Sequence, residues 1–97
     1  MHEKVYRGKL ITKVTAKGTK SEGPSYHLEL LEPNEFGQKE LAVGKDAHLW
    51  EKDEKLHPFV NKMVVIMGEQ VIVKHTTFNG TEKVESIFPI EIKELKE

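Results

Sequence analysis

A chain of 97 residues, 37% apolar and 32% charged, has the size of one domain spanning residues 1–97, with a compact core under a densely charged surface. Its 15 basic and 16 acidic residues leave a net charge of −1. It therefore lacks the overall positive excess with which dedicated nucleic-acid binders neutralise phosphate. Cysteine is absent, which excludes disulfides, thiolate metal sites, iron–sulfur clusters and a cysteine nucleophile.

The N-terminal run Met1–Lys9 contains no apolar stretch of the secretory kind, and no apolar run approaches the ~20 residues of a membrane span. The expectation is a soluble, cytoplasmic protein with no membrane partner.

Lys4–Ala16 is the first expected strand. Tyr6, Leu10 and Val14 share a parity with Gly8 and Thr12, and that parity is assigned to the interior. Gly8 within the strand marks a bulge or bend that lets one long strand serve two sheets of a small barrel. Lys17–Pro24 carries two glycines and a proline and reads as a loop, with Lys17 and Lys20 as its cations. Tyr26, Leu28 and Leu30 alternate with His27 and Glu29 over Ser25–Leu31, which is a second strand. After a turn over Glu32–Gly37, Gln38–Val43 is the third strand, with Leu41 and Val43 inward.

Asp46–His57 is the one helical stretch, with Asp46 as N-cap, Leu49 and Leu56 on one face, and Pro58 as its stop. Lys62–Lys74 is the central strand. Its run Met63–Met67 is unbroken, rich in β-branched residues and followed by Gly68, so it is expected to be covered on both faces and to change direction at the glycine. Asn79-Gly80 predicts a two-residue type I′ hairpin. Lys83–Leu95 closes the chain as a strand whose inward members are expected to be Phe88, Ile90 and Ile92, with an edge or bulge at Pro89. Phe59, Val64 and Ile66 complete the expected core.

Three strands, a short helix between strands 3 and 4, then two more strands, with a glycine in a long first strand, is a pattern that resembles the OB-fold, a five-stranded Greek-key barrel. The passage Phe59–Glu69 looks like the helix-to-strand-four segment of such domains. An SH3-like barrel or a small β-sandwich is the alternative.

No catalytic arrangement stands out. His2, His27, His48, His57 and His75 form neither a His-x-His nor an i,i+4 pair, so no metal site is expected. Ser21, Ser25 and Ser86 lack a nucleophile elbow, and no glycine-rich phosphate loop occurs. The expectation is a non-enzymatic binding module, without cofactor, that meets a protein or small ligand through its barrel loops. Lys17, Lys20, Phe36, Lys39, Lys74, His75, Phe78 and Lys83 are the expected rim. The alternative is single-stranded nucleic acid, for which the OB resemblance, the rim cations and the loop aromatics Phe36 and Phe78 speak. Against it, the outward parity of strands 2 and 3 offers His27, Glu29 and Glu40, and two carboxylates repel a phosphate backbone.

Overall fold

The computed structural model describes residues 3–15, 18, 22–45 and 51–95, without the side chains of Thr15, His75 and Thr77. Five strands, β1 (Glu3–Thr15), β2 (Gly23–Leu30), β3 (Glu40–Val43), β4 (Met63–Thr77) and β5 (Gly80–Glu94), close into a barrel in the order β1-β2-β3-β5-β4. All neighbours are antiparallel except β3 and β5, which run parallel over Ala42↔Ser86 and Val43↔Ile87.

The double duty of the first strand follows from Gly8. Residues 3–9 of β1 pair with β4, residues 8–15 pair with β2, and Gly8 has a partner on each side, Val64 and Leu30. A Cβ at Gly8 would run into the Glu29 carbonyl oxygen, so only glycine lets the strands approach this closely.

The interior is built from alternate residues, as the period of two requires. Tyr6, Leu10, Tyr26, Leu28, Leu41, Val43, Leu56, Val64, Ile66 and Ile87 form one buried cluster, with Leu30, Phe59, Val60 and Ile92 packed against it. In the apolar run of β4, Val64 and Ile66 are fully buried, while Met63, Val65 and Met67 on the outer face are half-buried.

The last strand inverts the expectation over half its length. Phe88 and Ile90 are more than half exposed, whereas Ile87 and Glu85 are buried. The cause is a bulge: Met67 pairs with Glu91 and Gly68 with Pro89, so Ile90 is left without a partner. The extra residue reverses the parity of everything before it in β5. Gly68 permits this crossing, since a Cβ there would lie 2.6 Å from the Phe88 carbonyl oxygen and 2.7 Å from Ile87 Cγ2. Val14 also departs from the expected core, at 63% exposure. It lies where β1 pairs with β2 alone, opposite Pro24.

The expected helix is not a helix over its described part. Residues 46–50, including Asp46 and Leu49, lie outside the described residues. Beyond them the chain forms a turn and then a single 3₁₀ turn, His57–Phe59, with Pro58 inside it. Proline fits there because the first residues of a helical turn have no use for their N–H groups. Asp53 fastens the turn before it: it is buried, and its Oδ1 accepts from the Lys55 and Leu56 amides at 2.8 and 3.2 Å. Tyr26 anchors this segment from inside the barrel, its hydroxyl accepting the Asp53 amide at 2.9 Å and meeting His57 Nδ1 at 3.2 Å. Asn61, in the left-handed region at φ 67°, then turns the chain into β4, its amide donating to the Leu10 carbonyl at 2.6 Å.

Two substitutions test this packing by urea unfolding. Ile66→Ala costs about 2–5 kcal/mol, as truncation in a closed core does. Phe88→Ala costs no more than about 1 kcal/mol, because its side chain is outside. A reversed ranking overturns the assigned parity of β5.

Candidate functional site: a projecting ribbon on a polar foundation

β4 pairs with β1 only as far as Glu69, and β3 reaches β5 only at Ser86 and Ile87. Beyond those points β4 and β5 continue as a two-stranded ribbon, Ile72–Thr77 against Gly80–Glu85, roughly 20 Å long at ~3.4 Å per residue. Its turn differs from the expected one. Phe78 and Asn79 occupy the turn, neither has a positive φ, and Gly80 at φ 119° carries the left-handed conformation. That places a fully exposed Phe78 at the tip.

The ribbon bears an unusual load of apolar surface for so exposed an element. Ile72 and Val73, with Val71 just below them at its base, are each at least 40% exposed, and they cover both faces because successive side chains alternate. Lys74 and Lys83 stand directly opposite each other, on the face that continues the barrel interior outward from Glu85. Like charges in directly opposed positions destabilise a ribbon. Neither lysine makes an ion pair with a described residue. His75 stands opposite Glu82.

The foundation of the ribbon is polar. Glu85 is 1% exposed, and its carboxylate accepts from the Tyr6 hydroxyl at 2.9 Å, from Asn34 Nδ2 at 3.0 Å and from Gln70 Nε2, with Lys4 Nζ at 3.5 Å. Gln38 brackets its backbone, accepting the Glu85 amide at 2.8 Å and donating to its carbonyl at 3.3 Å. Asn34 in turn shapes the β2–β3 connection, its Oδ1 accepting the Phe36 and Gln38 amides at 3.0 and 2.8 Å. Every buried polar side-chain atom among the described residues has a partner. Burial by itself would raise the Glu85 pKa, but the donors Asn34, Tyr6 and Gln70 and the charge of Lys4 together hold it below the ordinary carboxylate value. Burial and the facing carboxylate push the Tyr6 hydroxyl well above the ordinary tyrosine value.

The expected rim is therefore divided. Lys74, Phe78 and Lys83 share the ribbon, and half-buried Phe36 and exposed Lys39 lie on the connection fastened to its base through Asn34, Gln38 and Glu85. His75 lies in the ribbon, with its side chain outside the described set. Lys17 and Lys20 lie outside the described residues, in the stretch of sequence between β1 and β2. Sequence reasoning misses Glu85. The signal that could find it is Pro89, because a bulge there switches which residues of β5 face in. Among the described residues no three His, Asp or Glu side chains converge as a metal site, and no helix is long and apolar enough to cross a membrane.

No family model, curated protein or solved structure matches this chain.

The signs of the two shifts define a stability window. The Glu85 contribution is present above the unfolded glutamate value of about 4.3 and is lost as pH falls through the lower folded value. The Tyr6 contribution is present below the unfolded tyrosine value of about 10 and is lost as pH rises through the higher folded value. Urea midpoints measured against pH should be highest between these limits. Glu85→Gln should flatten the acid limb, and Glu85→Ala, which removes the acceptor shared by the Tyr6, Asn34 and Gln70 donors, should cost about 1–3 kcal/mol at neutral pH. An unchanged acid limb in Glu85→Gln removes the carboxylate from its assigned role.

Proposed function

We propose that this chain is a non-enzymatic binding module that captures an extended, acidic segment of a protein partner on its β4–β5 ribbon. The carrying observation is the combination on that ribbon of exposed Val71–Val73, a fully exposed Phe78 and the opposed Lys74 and Lys83, which have no ion-pair partner among the described residues. From Ile72 onward the outer edge of β4 has no strand partner among the described residues, so its main-chain groups are open to an added strand. Carboxylates on that strand would relieve the repulsion between Lys74 and Lys83, and alternate apolar side chains would cover the valines.

The closed barrel, with a first strand shared between two neighbours and a short helical turn before β4, supports the OB-fold reading of the sequence. The outer face of β2 and β3 does not favour the single-stranded nucleic-acid alternative. Glu29 and Glu40 stand directly opposite each other there, and the only ring on that face of the two strands is His27. Base stacking and phosphate neutralisation both need what this face lacks.

Amide shifts during titration separate the readings. A peptide of alternating valine and glutamate should perturb Ile72–Thr77 and Gly80–Val84, and the double variant K74E/K83E should weaken it at least about tenfold, equivalent to about 1.4 kcal/mol. A mixed-sequence single-stranded DNA that perturbs Ser25–Glu29 and Glu40–Val43 at low salt, with the peptide silent, overturns the protein-binding reading in favour of the alternative.

A further inference from the structure

The outer face of the β1–β2–β3 sheet holds a polar chain that the binding role does not use. Ser25 and His27 are two residues apart in β2 and so point the same way. Glu40 is on β3, diagonally across from His27. Ser25 Oγ lies 2.9 Å from His27 Nε2, and His27 Nδ1 lies 3.1 Å from Glu40 Oε1. Lys13 Nζ is 2.5 Å from the same Glu40 oxygen.

The chemistry of the atoms sets the direction of this chain. An ionised carboxylate only accepts, so Nδ1 carries the ring proton and Nε2 presents its lone pair. Burial of the half-covered ring lowers the His27 pKa; Glu40 opposes this and Lys13 reinforces it, so the net effect favours the neutral ring. The Ser25 hydroxyl then donates to Nε2, the nearer acceptor, while the Lys13 carbonyl at 3.2 Å is the more distant one. The order is nucleophile, base and orienting carboxylate, the logic of an activated serine.

We infer that Ser25 is a modification site: a nucleophile, with His27 as its general base, that accepts an acyl group from an activated ester. In this step the bond from Ser25 Oγ to the acyl carbon forms and the ester bond to the leaving oxygen breaks. The hydroxyl proton passes to His27 Nε2 and then to the departing oxyanion. Glu40 touches neither the ester nor Oγ and is a positioning residue. Ser25 lies within a regular strand rather than at a turn or helix start, so its surroundings do not gather N–H groups around a developing oxyanion. Donors are thereby limited to esters with good leaving groups, and the acyl group stays on the serine.

The test is incubation of the full chain with p-nitrophenyl acetate, with release of p-nitrophenolate followed in solution and the acetyl group located by peptide mass spectrometry. One acetyl group on Ser25 is expected. Ser25→Ala removes it, and His27→Gln slows its formation about 10²-fold. Glu40→Gln slows it and Glu40→Asp restores part of the rate, with amide spectra confirming the fold of each variant. Labelling of wild-type Ser25 must also vanish in urea, which reads the relay without any substitution. Acetylation confined to lysines or the N-terminus, equal Ser25 labelling in His27→Gln, or labelling that survives urea each overturns the inference.

Discussion

How closely β5 passes over Gly68 decides what the barrel contains. Without a Cβ at that position the backbone of Phe88 and Pro89 can lie against β4, and Ile90 is squeezed out of register. Because side chains alternate strictly along a strand, one unpaired residue exchanges the interior and exterior sets for all of β5 that precedes it. Ile87 enters the core, Phe88 leaves it, and Glu85 is delivered to a place from which a carboxylate would ordinarily be expelled. The polar foundation, the orientation of the ribbon above it and the face on which Lys83 meets Lys74 all depend on that displacement.

A buried carboxylate is tolerable only when its oxygens are filled, and here they are filled from several directions. Tyr6 and Lys4 come from β1, Asn34 from the β2–β3 connection and Gln70 from β4. Tyr26 plays a comparable part for the 3₁₀ segment, holding the Asp53 amide and the His57 ring. Apolar packing thus fills the barrel, while polar side chains fix the irregular segments to it. Glu85 is committed to its own partners, so it does not neutralise the lysines farther along the ribbon, and their charge stays exposed.

Much of the barrel is legible in the residues. The alternation of Tyr26, Leu28 and Leu30, the apolar run Met63–Met67, and the glycine inside the first strand lead directly to strands, a central strand and a strand with two neighbours. The parity of β5 is not, because Phe88, Ile90 and Ile92 themselves form a convincing period of two; Pro89 signals an edge or a bulge, but which of the two, and so which residues turn inward, depends on contact with Gly68, distant in sequence. Leu56 reaches the core as expected, although the helix expected to carry it is absent from the described part of that segment: an apolar side chain needs a direction, which a 3₁₀ turn supplies as well as a helix. Ser25, His27 and Glu40 carry no signal individually. Glu40 comes from a different strand, and only the β2–β3 register brings it to the imidazole.

The parallel junction between β3 and β5 is the shortest seam in the cylinder, with two paired positions and one further bond from the Gly44 amide to the Ile87 carbonyl. Directly beside it, Gln38 grips the Glu85 backbone while Asn34, from the same connection, holds the Glu85 carboxylate. Closure of the cylinder therefore owes as much to these side-chain clasps as to main-chain pairing. Acid that protonates Glu85 loosens the Asn34 clasp and would unzip the wall along this line while the long antiparallel ladders still hold, giving a curled open sheet as the first departure from the native state.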